Sequence, residues 1–300
     1  MTIALEFDYA KPESLDAALR LLTEHRGRAA VLAGGTDLVC WLRDETITPE
    51  LLIDLKGIPE LRELDVDGGT ASIGALVTFS DLVASEAVRT ALPILWEASR
   101  TVACVGIRNR ATVVGNICSA VPSCNAGPAL LVCEAAVTVL GAEGERRIPI
   151  AEWFTGPKST ALGDGEIVTG IVVPVPEGRH GDAYVKLGRY RGEDLAQAVV
   201  AVLALPENRY RVAFGAVGPT PSRAPGIESV LAGKPLDETL IAEARGLVRN
   251  ETAPISDIRA SREYRAHMLP IMLERGLRAA AARRDGGGPA YGTALIEEAP

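Results

Sequence analysis

The apolar run 29–32 is interrupted by Ala33-Gly34-Gly35-Thr36-Asp37 before Leu38, Val39, Trp41 and Leu42 open a short helical segment. A strand that ends in two glycines and turns directly into a helix leaves backbone N–H groups, a hydroxyl and a helix N-terminus open in one place. That donor set is what cradling a pyrophosphate requires. Glycine has no Cβ, so a ligand can approach the main chain and positive φ is allowed. A Gly-Gly pair after a strand also serves as a plain tight turn, and the GxGxxG dinucleotide fingerprint is absent. The surroundings narrow the choice. Pro12-Glu13-Ser14 precedes the stripe Leu15, Ala18, Leu19 and Leu22, which predicts an amphipathic helix over 13–25, and the apolar run 51–55 completes a βαβ-like unit.

Further along, alternating stretches at 64–66 and 71–74 flank Asp67-Gly68-Gly69 and predict a hairpin. Helices are expected at 79–86 and 87–101. A short strand at Ile107 then runs into an irregular stretch ending at Pro128, in which Thr112, Asn116, Ser119 and Ser123 offer hydroxyl and amide groups between glycine and proline pivots. A structureless loop of that length inside a compact domain is usually functional. Two polar loops following strands in one half of the chain suit a ligand long enough to need both, such as an adenine dinucleotide. Residues 129–133 resume an apolar helix, and 137–140, 148–150 and 167–173 are strand-like. Pro174-Val175-Pro176-Glu177-Gly178 reads as a linker. Beyond it, 183–187, 198–205 and 210–217 predict an antiparallel meander, and helices are expected at 222–232, 237–249 and 257–283. The glycine-rich end from Gly286 is expected to stay flexible.

Composition excludes several partners. The formal net charge is −8 and aromatic residues are 4% of the chain, which argues against nucleic acid and anionic membrane surfaces. No apolar run approaches the roughly 20 residues that span a bilayer. The acidic N-terminus does not resemble a signal peptide, so the expected compartment is the cytoplasm. The five cysteines, Cys40, Cys104, Cys118, Cys124 and Cys133, form no CxxC and read as small buried hydrophobes, neither a disulfide framework nor a metal site.

Ala33-Gly34-Gly35-Thr36-Asp37-Leu38, the run from Ile107 to Asn116, and Pro122-Ser123-Cys124-Asn125-Ala126-Gly127-Pro128 with the following Ala129-Leu130-Leu131 together resemble the FAD-binding medium subunit of molybdenum hydroxylases, the xanthine dehydrogenase and carbon monoxide dehydrogenase family. The likeness continues through Phe154-Thr155-Gly156-Pro157, Lys186-Leu187-Gly188-Arg189 with Asp194-Leu195-Ala196, and the run from Phe214 to Pro221, to about residue 280. It implies an α+β fold with a vanillyl-alcohol oxidase (PCMH)-type FAD-binding domain of two α+β subdomains, followed by a C-terminal domain with a three-stranded antiparallel sheet and helices. The expected boundaries are 1–55 and 56–176 for the two subdomains, 177–285 for the C-terminal domain and 286–300 for the tail.

The resemblance further implies noncovalent FAD. Gly34, Gly35 and Thr36 would hold the pyrophosphate, with Leu32, Ala33, Asp37 and Leu38 lining the same loop. Thr112, Gly115 and Asn116 would complete the phosphate side, Ser123 and Asn125 belong to the second loop, and Val102, Val168 and Lys186 would neighbour the flavin, Lys186 near its carbonyls. Val114 stands where the family commonly has glycine, and Asn125 where it commonly has an acid, which leaves ribose hydrogen bonding but no charge. Arg189, Arg191 and Asp194 read as a surface ion network. Partners implied are a small iron–sulfur subunit with [2Fe-2S] clusters and a large molybdopterin subunit, with electrons leaving to an external acceptor such as NAD. This is an oxidoreductase role that needs no protein acid or base. The alternatives are a self-sufficient flavoenzyme, such as a reductase of the cell-wall precursor type, which would need a proton donor over the flavin, and a flavin-free scaffold, which should have lost the Gly34-Gly35 pair.

Overall fold

The computed structural model describes Ile3, residues 5–190 and residues 194–295. Met1, Thr2 and Ala4 at the acidic N-terminus, Arg191 of the expected ion network, and residues 296–300 of the expected tail lie outside that description.

Three sheets succeed one another along the chain, and a two-stranded ribbon, Phe154–Gly156 on Ser159–Thr160, is inserted between the strands Gly144–Pro149 and Ile167–Pro174 of the second. The first sheet is parallel and three-stranded, with Leu51–Asp54 between Asp8–Ala10 and Ala29–Leu32. Its crossover helix Leu15–Glu24 starts where the Ser14 side chain accepts the Ala17 N–H, and it buries Ala18 and Leu22. The second sheet is antiparallel and five-stranded, in the order Leu64–Asp67, Thr70–Gly74, Ile167–Pro174, Ala136–Gly141, Gly144–Pro149. Gly68 (φ 57°) and Gly69 (φ 83°) make its first hairpin turn, where positive φ at both central positions matches the twist of the strands. The third sheet joins Gly181–Leu187, Ala198–Leu205 and Arg209–Gly215, and the two-residue strand Ser222–Arg223 extends this meander to four strands.

Every residue of Ala198–Leu205 is buried. Because side chains alternate along a strand, Val199, Ala201 and Leu203 enter the core shared with the first two sheets, whereas Val200, Val202 and Ala204 enter a second core under the helix Arg262–Arg284. One strand thus carries both halves of the molecule. Gly276 lets that helix approach closely, since a Cβ there would meet Val202 at 3.0 Å.

Several expectations are corrected. The stretch after Ile107 is neither a strand nor structureless: Val105–Arg108, Val113–Cys118 and Ala126–Val132 are helices. The second begins because the Thr112 hydroxyl caps the Gly115 N–H at 2.9 Å. Val114 sits inside it, so a β-branched residue carries no positive-φ strain there. The helix expected at 87–101 is divided into Glu86–Ala91 and Pro93–Arg100, because Pro93 has no N–H to continue a helix. The segment from Gly286, expected as a free tail, is docked as far as Leu295. Arg283, buried on the last helix, needs acceptors; it takes Pro289 O at 2.9 Å and stacks on Tyr291 at 4.2 Å, while the Gly292 N–H donates to Glu97 at 2.7 Å.

Candidate functional site

A cleft of about 420 Å³ runs between the first two sheets. Ala33 to Leu38 form one wall, Thr112, Gly115, Asn116, Ser123 and Asn125 another, and Val102 and Val168 flank them. Leu32 falls just outside the lining, packed beneath the turn: a Cβ on Gly35 would lie 3.0 Å from its Cδ1.

The turn is built from the two glycines for different reasons. Gly35 has φ +80°, a conformation that costs an L side chain about 1–2 kcal/mol. Gly34 is pressed against the opposite wall, where an added Cβ would meet Arg110 O at 2.0 Å. Among the described residues, the N–H groups of Gly34, Gly35, Thr36 and Asp37 donate to no protein acceptor. Four consecutive unengaged donors along a cleft form an anion-binding concavity.

The walls are stitched together by side chains. Ser119 Oγ donates to Asp37 Oδ2 at 2.5 Å, tying the first turn to the second loop. Asn116 Oδ1 accepts the Ala126 N–H at 3.1 Å and thereby fixes the entry to the next helix. Asn125 is 6% exposed, its carbonyl accepts the Tyr184 hydroxyl at 2.9 Å, and its buried Oδ1 has no partner among the described residues. A buried acceptor left open on a cleft wall is costly unless a ligand donor completes it. Ala103 on the lining (φ 35°) and Ala120 two residues from the lining residue Cys118 (φ 45°) hold left-handed backbone.

Lys186 does not line this cleft. It faces an adjoining one of about 600 Å³, and the two share Asp194. Its Nζ donates to Thr101 O at 2.7 Å, one residue before Val102. Burial pushes the ammonium down from its ordinary 10.5 to about 8, opposed by the charge of Asp194. Sequence reasoning missed Trp41, Phe79, Leu162 and Glu166 on the lining, which come from two helices and the loop before Ile167–Pro174 and share no local signature. Ser119 was recognised as a loop hydroxyl, but its partner Asp37 is 82 residues away and no spacing announces the pair. Cys118, also on the lining, and Cys124 have thiols pushed up to about 12 by burial, so both stay protonated at neutral pH.

Residues 5–176 match the family described as FAD binding domain in molybdopterin dehydrogenase, and residues 183–280 match the CO dehydrogenase flavoprotein C-terminal domain. The chain is 36% identical over 281 residues to the carbon monoxide dehydrogenase medium chain of Afipia carboxidovorans, covering 92% of this chain and 97% of that one. It is 30% identical over 270 residues to the glyceraldehyde dehydrogenase medium chain of Sulfolobus acidocaldarius, covering 89% and 95%. Among solved structures, a chain of carbon monoxide dehydrogenase from Hydrogenophaga pseudoflava matches with a TM-score of 0.90 at 33% identity, covering 94% of this chain and 99% of that one.

Proposed function

The chain belongs to the FAD-binding family of molybdopterin dehydrogenases, and from that premise we propose that it passes electrons between the iron–sulfur clusters of a partner subunit and an external acceptor such as NAD, within a cytoplasmic molybdenum hydroxylase-type complex. A large molybdopterin subunit would carry the substrate chemistry. The observation that carries the reading is the run of unengaged N–H donors from Gly34 to Asp37 on the cleft wall. These donors fit a diphosphate, and the open Oδ1 of Asn125 fits a ribose hydroxyl. When bound, FAD supplies the exchange between one-electron and hydride-transferring partners.

The remaining work falls to the chain itself. The glycine turn holds and orients, Val102 and Val168 exclude water, and Lys186 keeps a positive charge beside Val102. Val31, Ile107 and Leu195 line the cleft yet stay exposed, with Val105 on the same helical turn as Ile107. Such a rim is the kind of surface a partner subunit covers. No helix among the described residues is long and apolar enough to cross a membrane. Purification of the native assembly should bring an iron–sulfur chain and a molybdopterin chain with this one. A chain that purifies alone and turns over a substrate by itself would establish the self-sufficient flavoenzyme instead.

Lys186→Met should leave FAD binding intact and lower the flavin reduction potential by roughly 30 mV or more, the equivalent of about 1.4 kcal/mol for a two-electron couple. A neighbouring ammonium stabilises the negative charge that reduction adds. Lys186 is charged below about pH 8 and neutral above it, so the gap between wild type and variant should be widest near neutrality and close as pH rises past that value. Dye-coupled titration of the folded variant decides; equal potentials at neutral pH would remove Lys186 from the flavin's surroundings.

A further inference from the structure

Behind the glycine turn, outside the cleft lining, Lys56 Nζ lies 3.2 Å from Ala33 O and 2.8 Å from Asp54 Oδ1. Sheet register brings these groups together: Leu32 is opposite Asp54 in the parallel pair, so the glycine turn and the Leu55–Gly57 turn leave the same end of the sheet. Asp54 is buried and saturated. Its Oδ1 also accepts the Lys56 N–H at 2.9 Å, and its Oδ2 takes the Tyr9 hydroxyl at 2.5 Å. Burial pushes this carboxyl up, but the bonds from Lys56 and Tyr9 outweigh it and hold it below its ordinary value.

In a trans peptide the carbonyl and the following N–H point in opposite directions. Whatever anchors Ala33 O therefore sets where the Gly34 N–H points. On the other side, Gly34 is stopped by Arg110 O. Resting on the reading of the cleft as an FAD site, we propose that Lys56, oriented by Asp54, is a positioning residue for diphosphate binding: it anchors the Ala33 carbonyl so that the Gly34 N–H is presented to the phosphates. The ammonium polarises that peptide and strengthens its N–H as a donor. Because the ammonium is paired with the Asp54 carboxylate, its effect on the anion is local, through this peptide, and carries no long-range attraction.

The test titrates the full chain, stripped of flavin, with FAD. Lys56→Met alone would leave Asp54 buried without its cation, so the informative variant is the double Asp54→Asn/Lys56→Met, compared with Lys56→Arg. At low salt the double variant should bind FAD about tenfold more weakly than wild type, the size of one charge-assisted hydrogen bond. That ratio should stay about the same as salt is raised from about 50 to about 500 mM, because the double variant removes one charge of each sign and leaves the net charge unchanged. Lys56→Arg should stay within about threefold of wild type, since it keeps the charge and the donor. A double variant that binds as tightly as wild type overturns the proposal. So does a loss that arginine does not rescue, because that is what general loosening of the turn would give. A wild-type chain that takes up no FAD overturns the underlying site reading instead.

Discussion

A chain carrying Gly34→Val is expected to fold and to purify without flavin. The first atom added at this position would lie 2.0 Å from the Arg110 carbonyl oxygen, which is backbone and has nowhere to go. The turn must therefore lift away from the second wall, carrying the donors of Gly34 to Asp37 with it. Loss of several charge-assisted bonds to a diphosphate weakens binding by at least about 100-fold, or about 2.7 kcal/mol. Gly35→Val should act by another route. The obstacle there is the positive φ together with the Leu32 Cδ1 methyl at 3.0 Å, and a side chain can yield, so its loss should be the smaller of the two. Flavin content by visible absorbance, with far-ultraviolet circular dichroism to confirm folding, measures both. A folded Gly34→Val chain with wild-type flavin content would show that the turn does not hold the cofactor.

Arg283→Met is expected to give the largest loss of stability. Arg283 and Glu97 form a buried pair at 3.1 Å, Arg283 Nη1 also donates to Asp182 O at 2.6 Å, and Glu97 accepts the N–H groups of Tyr184 and Gly292. The pair joins the helix Pro93–Arg100 of the first half to the last helix and the docked tail. Removing the cation leaves Glu97 charged and out of water, which costs about 3–5 kcal/mol. Glu97→Gln/Arg283→Met should be less destabilised than the single variant, since the stranded charge is gone. Urea unfolding of the three chains tests this; a double variant weaker than Arg283→Met would mean that packing dominates over charge.

What could be read from residues alone follows from how local each feature is. The helix Leu15–Glu24, the strand Ala29–Leu32 and the hairpin at Gly68-Gly69 are set by side-chain spacing, a serine cap and turn glycines within a few residues. The helices around Val105–Arg108 and Val113–Cys118 were not legible, because four- and six-residue helices have too little periodicity to announce themselves. The second is held from a distance: the Val113 N–H donates to Val77 O, and Trp153 Nε1 to Ile117 O. The docked tail was equally hidden, since glycine-rich composition says nothing of a buried arginine that needs its carbonyls. At the cleft, the two polar loops could be picked out and the structure brings them to facing walls. That Lys186 faces the adjoining cleft, and that Lys56 stands behind the glycine turn, emerge only when the strands are in register.

FAD in this cleft is expected to be held without a covalent bond. Acid precipitation of the purified chain, followed by an absorbance spectrum and chromatographic identification of the supernatant, tests it most directly. One equivalent of FAD per chain is expected in solution; flavin retained in the pellet, or none in either fraction, would be the contrary result.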